Sequence, residues 1–146
     1  MNALVRSFRL DKIIWPQILL FAGGILWASS LLQVVFQTTH GPIMGYWVLL
    51  TGWMGFALFQ FAWYANLLAL LGLLLMKKHP NRAMLLVVIS ALLSGQAFWF
   101  TTRPGEQVNM LVVGFGTGFW CWYVSMILIT MGVIFGSGED EEEEAP

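Results

Sequence analysis

Charged side chains are scarce in this chain of 146 residues. Only 10% of the residues are Asp, Glu, Lys or Arg, whereas 58% are hydrophobic. Soluble domains typically carry about 25% charged residues. A water-soluble fold of this size could not bury so much apolar surface, so the composition predicts that lipid surrounds most of the chain.

The acidic residues are nearly all in one place. Six of the eight lie between Glu139 and Glu144, which predicts a disordered acidic cytoplasmic tail over residues 137–146. The rest of the chain has seven Lys and Arg against Asp11 and Glu106, a net charge of +5. The tail is either a solvated segment that limits aggregation or a docking segment, for a basic partner or for Lys77, Lys78 and Arg82 of this protein. Nothing in the sequence predicts a nucleic-acid partner.

The sequence also lacks the groups on which many membrane enzymes and transporters depend. Cys121 is the only cysteine, which excludes an intramolecular disulfide. The apolar segments hold no carboxylate, histidine or basic residue of the kind that ion-coupled transport needs. His40 and His79 lie in different connections, so neither a haem nor a metal site is expected. We therefore predict a protein that is not an enzyme and that holds no cofactor or metal.

Long apolar runs are what the sequence has in abundance. Each of four runs is close to or above the roughly 20 residues that an α-helix needs to cross a bilayer. Three short connections, each with a proline, separate the runs and make sequential helices antiparallel. The fold prediction is an all-α membrane protein, a bundle of four antiparallel transmembrane helices within residues 13–136. The predicted spans are 13–36, 46–76, 83–102 and 108–135.

Basic residues indicate how this bundle is oriented. Arg6, Arg9 and Lys12 lie in the predicted cytoplasmic segment 1–12, and "KKHPNR" (residues 77–82) joins the second and third runs. The other two connections contain only one basic residue between them. By the positive-inside rule, the N-terminus and the C-terminus are both expected in the cytoplasm.

The stretch "GFGTGFWCWY" (residues 114–123) contains three alternating glycines. A phosphate-binding loop follows a strand and opens a helix. These glycines are instead predicted to lie inside an apolar helix, with no strand before them. The sequence therefore favours a role in helix packing over a role in phosphate binding.

Small side chains recur three and four residues apart on the second, third and fourth spans. Such stripes let helix backbones approach closely, which is the main source of helix association in lipid. On this pattern Gly118 lies at a helix crossing, and leucine at Phe119 should cost less stability if that face meets lipid. The predicted packing residues are Gly52, Gly55, Ala62, Ser90, Ser94, Ala97, Gly114, Gly118, Cys121, Ser125 and Gly132.

Polar and aromatic side chains also lie deep within the predicted spans. Asn66 is about ten residues from the cytoplasmic end of the second span, or roughly 15 Å deep, and an unpaired amide there costs several kcal/mol. Asn66 is therefore expected to hydrogen-bond a neighbouring helix. The deep aromatic residues either fill the core, contact lipid, or line a pocket for a lipid, a hydrophobic molecule or an organic cation. The candidate ligand-binding residues are Trp63, Tyr64, Asn66, Trp120, Trp122 and Tyr123.

Two stretches carry a family resemblance. "FAWYANLLALLGLLLMKK" (residues 61–78) and "GFGTGFWCWYVSM" (residues 114–126) resemble small four-span bacterial inner-membrane proteins of uncharacterised function. The resemblance covers mainly residues 45–135. It implies a four-helix architecture in a bacterial inner membrane and no particular activity.

Two kinds of function agree with these features. The first is a non-enzymatic accessory subunit that associates with itself or with another membrane protein through its small-residue stripes. The alternative is a membrane binder or facilitator of a hydrophobic, lipid or organic-cation molecule that uses the deep aromatic residues. The sequence leaves both open.

Overall fold

A computed structural model describes the backbone of residues 2–103 and 110–137, and the side chains of residues 14–101 and 111–137. The predicted acidic tail lies outside the described residues from residue 138 onward. The α-helices are α1 (Asn2–Leu31), α2 (Gly45–Thr51), α3 (Ala65–Leu75), α4 (Pro80–Gly95) and α5 (Thr117–Ser137). Short 3₁₀ helices occupy Gly52–Leu58, Ala62–Tyr64 and Gln96–Trp99. The strands are β1 (Val34–Thr38), β2 (Gly41–Met44), β3 (Thr102–Arg103) and β4 (Met110–Phe115).

Three helical stretches are long and apolar enough to cross a membrane. They are Ile14–Leu31, Pro80–Trp99 and Thr117–Ser137. The prediction of a mostly helical chain with apolar helices of crossing length is confirmed at this level. Two shorter apolar helices, Gly45–Leu58 and Ala62–Leu75, lie where the sequence predicts one continuous second span.

Helix α5 is central and packs against α1, α3 and α4. A Cβ atom built on Gly23 of α1 would lie 2.9 Å from Ile129 Cγ1 of α5. One built on Gly132, later in α5, would lie 2.8 Å from Leu20 Cγ, earlier in α1. The order of these contacts is reversed between the two helices, so α1 and α5 run in opposite directions where they touch.

Hydroxyl groups join α4 to both of its neighbours. Ser90 Oγ donates to the Ala65 carbonyl oxygen of α3 at 2.8 Å, and Thr130 Oγ1 of α5 donates to the Val87 carbonyl oxygen at 3.1 Å. Thr130 Oγ1 also lies 2.8 Å from the Met126 carbonyl oxygen of its own helix, so its single hydrogen is shared between the two acceptors. The buried core around them consists of Ala65, Ala69, Ala83, Val87, Met126, Ile129 and Val133.

A small antiparallel sheet lies at one end of the helices, with strand order β2-β1-β4-β3. The all-α prediction is wrong here, because residues 34–38 and 110–115 are strands and not parts of the first and fourth spans. β1 begins with two valines and a phenylalanine, residue types that favour strands. A short apolar run does not by itself distinguish a strand from a buried helix.

A tight hairpin joins β1 and β2. Thr38 pairs with Gly41 across a turn formed by Thr39 and His40. Gly41 has a φ of +122°, which a residue with a side chain rarely adopts. The Thr38 hydroxyl donates to the Gly41 carbonyl oxygen at 2.8 Å and fixes the turn.

The predicted second span is interrupted at Phe59. The 3₁₀ helix Gly52–Leu58 ends there in a left-handed residue with a φ of 56°. The side-chain amide of Gln96 binds both sides of the interruption. Its Nε2 donates to the Phe59 carbonyl oxygen at 2.8 Å, and its Oε1 accepts from the Phe61 N–H at 2.6 Å. Unwound backbone in an apolar environment needs such partners. Because the run is interrupted at Phe59, the small-residue stripe predicted for the second span is divided between two helices.

Candidate functional site

An asparagine and three tryptophans form a hydrogen-bonded group between the helices. The indole N–H groups of Trp27 in α1 and Trp122 in α5 both donate to Asn66 Oδ1 in α3, at 2.9 and 3.0 Å. Asn66 Nδ2 donates to the Trp63 carbonyl oxygen at 2.9 Å. Because an indole N–H can only donate, the oxygen of the Asn66 amide has to face the two indoles. The expectation that Asn66 bonds a neighbouring helix is confirmed, with two helices as partners.

This group lies near the helix ends on the side of the sheet. Asn66 is in the first turn of α3, just after the interrupted segment, and Trp122 is in the second turn of α5. Trp27 is one turn before the end of α1. The indole N–H of Trp63 donates to the Leu49 carbonyl oxygen of α2 at 2.9 Å, so α2 is tied to the same group.

A cavity of about 50 Å³ lies beside this group. Since one water position needs roughly 10–15 Å³ by the same kind of measure, the cavity has room for a few water-sized groups or a short run of methylene groups. Its walls come from α1, α2, β1, α5 and the turns next to α3 and α4. The lining residues are Trp27, Ser30, Leu31, Val35, Phe36, Gly45, Val48, Leu49, Ala62, Trp63, Asn66, Ala97, Phe100, Phe119 and Trp122.

The polar groups of this lining are already paired within the protein. The three indole N–H groups have acceptors, and the Ser30 hydroxyl donates to the Trp27 carbonyl oxygen at 2.6 Å. Among the side chains that the structure describes, no acidic or basic one lines the cavity. An occupant would therefore meet ring faces and methyl groups. Aromatic faces also attract cations, but no lining carboxylate would balance the charge, so the lining favours an apolar occupant.

Metal binding has no support among the described residues. No group of three or more His, Cys, Asp or Glu side chains in residues 14–101 and 111–137 is arranged to hold a metal ion. Cys121 is free, and its sulfur accepts from Gln33 Nε2 at 3.7 Å.

Phe119 lies at the centre of an aromatic cluster beside the cavity, with 0% of its surface exposed. Its ring centroid lies 4.3 Å from that of Phe115, 5.1 Å from that of Phe98 and 6.0 Å from that of Phe36. The condition under which leucine at this position should cost less stability, that its face meets lipid, is therefore not met. β1 and β4 fold against the first turn of α5 and cover the ring.

The predicted ligand-binding residues divide into two sets. Trp63, Asn66 and Trp122 line the cavity, whereas Tyr64, Trp120 and Tyr123 do not. Trp120 is in the first turn of α5 and is 50% exposed. Residue counting placed it too deep because β4 takes up the residues that were assigned to the start of the fourth span.

Most of the predicted packing residues are buried, but not all of them face another long helix. Gly118 and Gly132 face α1 and the chain that follows it. A Cβ atom on Gly55 would instead lie 2.7 Å from the Gln60 carbonyl oxygen of its own segment, and Gly52 likewise faces Trp63. Those buried are Gly52, Gly55, Ala62, Ser90, Ser94, Ala97, Gly118, Ser125 and Gly132, and those half-buried are Gly114 and Cys121.

The glycines of residues 114–118 form a strand-to-helix connection, not a stretch of helix. Gly114 lies in β4, Gly116 in the turn and Gly118 in the first turn of α5. A Cβ atom on Gly118 would lie 2.9 Å from the Gln33 carbonyl oxygen, so chain backbone fills the space in front of it. The Gly116 N–H donates to the Val35 carbonyl oxygen at 3.0 Å. The strand that a phosphate loop requires is present, but protein backbone occupies the place of the phosphate.

Trp27 lines the cavity and bonds Asn66, but it is not among the candidate residues predicted from the sequence. An indole N–H in an apolar span needs an acceptor, and the second apolar run offers two side-chain amides, those of Gln60 and Asn66. That pairing was a usable signal. The contributions of Phe36 and Phe100 had no comparable signal, because they depend on the sheet.

No known protein family, curated protein or solved structure matches this chain. Its function therefore has to be inferred from its own sequence and geometry.

Proposed function

We propose that the protein crosses a bilayer four times, through α1, α3, α4 and α5, with both termini in the cytoplasm. Three of these helices have crossing length, and the shorter α3 packs against α4. At the end away from the sheet, Lys77 and Lys78 are exposed in the connection between α3 and α4, and Arg82 is exposed in the first turn of α4. The positive-inside rule places that connection in the cytoplasm. The family resemblance suggests a bacterial inner membrane.

Cysteine labelling tests this orientation. Thr39 and Asn81 are exposed at the two ends of the molecule. Single cysteines at these positions, in a Cys121→Ala background, should differ in labelling of intact cells by a membrane-impermeant thiol reagent. The cysteine at 39 should react, and the one at 81 should react only after permeabilisation. Equal labelling of both in intact cells would refute the orientation.

For the function itself, the geometry best supports non-catalytic binding of an apolar group, such as the end of an acyl chain, in the cavity beside Asn66. The observation that carries this proposal is the pairing of the lining polar groups inside the protein, which leaves mainly apolar surface for an occupant. Ligand pockets are typically concave and mostly apolar, with few polar groups. The fixed Asn66 group would keep the cavity open in the absence of a ligand.

Photocrosslinking tests the cavity directly. A fatty acid with a diazirine at the end of its chain should crosslink to peptides that contain Trp27, Trp63 or Trp122. Ala62 is 2% exposed and lines the cavity, so Ala62→Leu should fill it and reduce these crosslinks several-fold. Ala57 is exposed, and Ala57→Leu is the matched control that should change nothing. Crosslinks that persist in a folded Ala62→Leu variant would refute binding in the cavity.

Self-association, or association with another membrane protein, is the second candidate function. Gly24 and Ala28 are four residues apart on the outer face of α1, both are exposed, and no atom lies within 4 Å of a Cβ atom built on Gly24. A pair of small residues in this spacing favours close contact between helices. Gly24→Leu should therefore shift the mass measured by light scattering in mild detergent toward the monomer. Gly95→Leu, on α4, is the control and should leave the mass unchanged. If Gly24→Leu also leaves the mass unchanged, the protein does not associate through this face of α1.

A further inference from the structure

The Gly45–Leu58 segment begins and ends at the same end of the helices. At its start, the Gly45 N–H donates to the Gln33 carbonyl oxygen at 2.9 Å, just after the end of α1. At its end, the neighbouring residues Phe59 and Phe61 are held by Gln96, just after the end of α4. α1 and α4 both lead into the sheet from these points.

The contacts of helix α5 show that the start and the end of the Gly45–Leu58 segment lie at the same level along the axis of the helix bundle. Gly118 of α5 faces Gln33. Phe119, the next residue, has its ring 5.1 Å from that of Phe98, two residues after Gln96. Both ends of the Gly45–Leu58 segment are therefore level with the first turns of α5. A segment whose two ends lie at one height runs across the end of the bundle and does not run along it.

The two faces of this segment differ sharply. Its buried residues are all glycines, which let it lie close to the chain beneath it. Its other face is apolar and unusually exposed, with Leu50 at 63% and the adjoining Phe59 at 77%. No Asp, Glu, Lys or Arg occurs in residues 41–76. The large exposed residues are Tyr46, Trp47, Leu50, Trp53, Met54, Phe56, Phe59 and Phe61.

We propose that this face is a membrane-interface platform, with the phospholipid headgroup and upper acyl-chain region on the sheet side of the bilayer as its partner. Tyrosine and tryptophan prefer this region because their rings are apolar while their polar atoms stay close to water. The indole N–H groups of Trp47 and Trp53 have no acceptor within the described part of the chain, so they are free to bond headgroups or water. Trp99 and Trp120 are exposed at the same end of the bundle.

With the platform in the interface, only part of the second apolar run crosses the bilayer. Only the part from about Phe61 to Met76 is left to cross the bilayer, roughly 24 Å at 1.5 Å per residue. The remainder lies flat in the interface and forms one wall of the cavity through Gly45, Val48 and Leu49. The inference rests on the proposed membrane crossing and not on the proposed ligand.

Spin-label depth measurement tests the platform with matched pairs of sites. Leu50 and Ala57 are exposed on the platform, and Leu85 and Leu92 are exposed on α4. Both pairs are seven residues apart. Nitroxide labels on single cysteines at these sites, in a Cys121→Ala background, are measured in phosphatidylcholine/phosphatidylglycerol vesicles. Collision rates with oxygen and with a water-soluble nickel chelate then give the depth of each label.

The platform predicts nearly equal, shallow depths for the labels at 50 and 57. The control pair on α4 should differ by about 10 Å, since seven residues of a crossing helix rise that far. A similar difference between 50 and 57 would show that the segment crosses the bilayer and would overturn the inference. Labels at 50 and 57 that meet only water, or neither probe, would overturn it in favour of a solvent-exposed or protein-covered face. Equal depths at 85 and 92 would instead refute the proposed crossing itself.

Discussion

Replacing Asn66 with leucine should destabilise the protein mainly through the two indoles that lose their acceptor. Leucine has a similar size but no polar atom, so the change removes the bonds from Trp27 and Trp122 as well as the bond to the Trp63 carbonyl oxygen. Interhelical side-chain hydrogen bonds in membrane proteins average about 0.6 kcal/mol and reach about 1.7 kcal/mol. The two interhelical bonds, from Trp27 and Trp122, correspond to roughly 1 kcal/mol, and to about 3 kcal/mol at the upper limit, whereas the bond to Trp63 lies within the same segment of the chain.

A double-mutant cycle separates these bonds from a general loss of packing. Trp27→Phe and Trp122→Phe each remove one donor and retain an aromatic ring. In the Asn66→Leu background the donor has no acceptor left to lose, so each tryptophan replacement should cost less there than in the wild type. The expected coupling is about 0.6–1.7 kcal/mol for each pair.

The assay is equilibrium unfolding in mixed micelles of mild detergent and dodecyl sulfate, followed by far-ultraviolet circular dichroism. Trp120→Phe is the matched control, because Trp120 is 50% exposed and is not bonded to Asn66. It should add to Asn66→Leu without coupling. Distant, independent sites add within about 0.3–0.5 kcal/mol. If Trp27→Phe and Trp122→Phe also add to Asn66→Leu within about 0.3–0.5 kcal/mol, the hydrogen bonds of the two indoles to Asn66 are refuted.

Three further outcomes are expected. Gly118→Leu should lower the free energy of unfolding by about 1–3 kcal/mol, because the leucine would meet chain backbone. Phe119→Leu should lower it by a similar amount, because the phenylalanine ring is fully buried. A Phe119→Leu variant that melts like wild type in the same detergent would contradict the aromatic cluster. Gln96→Leu should speed hydrogen exchange at the backbone N–H of Phe61, which loses its acceptor. Unchanged exchange there would show that the Gln96 side chain does not bond the backbone at the interruption. Deletion of residues 138–146, which the sequence predicts to be disordered, should leave the melting temperature nearly unchanged, and a large drop would show that the tail docks on the body.

Hydrophobic composition, and the position of a polar side chain within an apolar run, carried the sequence predictions that succeeded. Scarcity of charge predicted apolar helices of crossing length, because no other fold of this size hides so much apolar surface. The same reasoning identified Asn66 as a residue in need of partners, since an unpaired amide is costly wherever water is excluded. Burial of Ser90, Ser94 and Ser125 also agrees with the predicted small-residue stripes.

Tertiary structure alone decided the sheet, the interrupted second run and the choice of residues around the cavity. β1 and β4 pair with each other from distant parts of the chain, and a short apolar run does not by itself show whether it is a strand or part of a helix. Phe119 is buried for the same reason, since the sheet covers a face that helical periodicity alone would leave to lipid. The interruption at Phe59 is tolerated because Gln96, far along the chain, bonds the backbone on both sides of it. Hydropathy records which solvent a residue prefers, whereas the partners of backbone and side-chain polar groups are fixed only when distant segments meet.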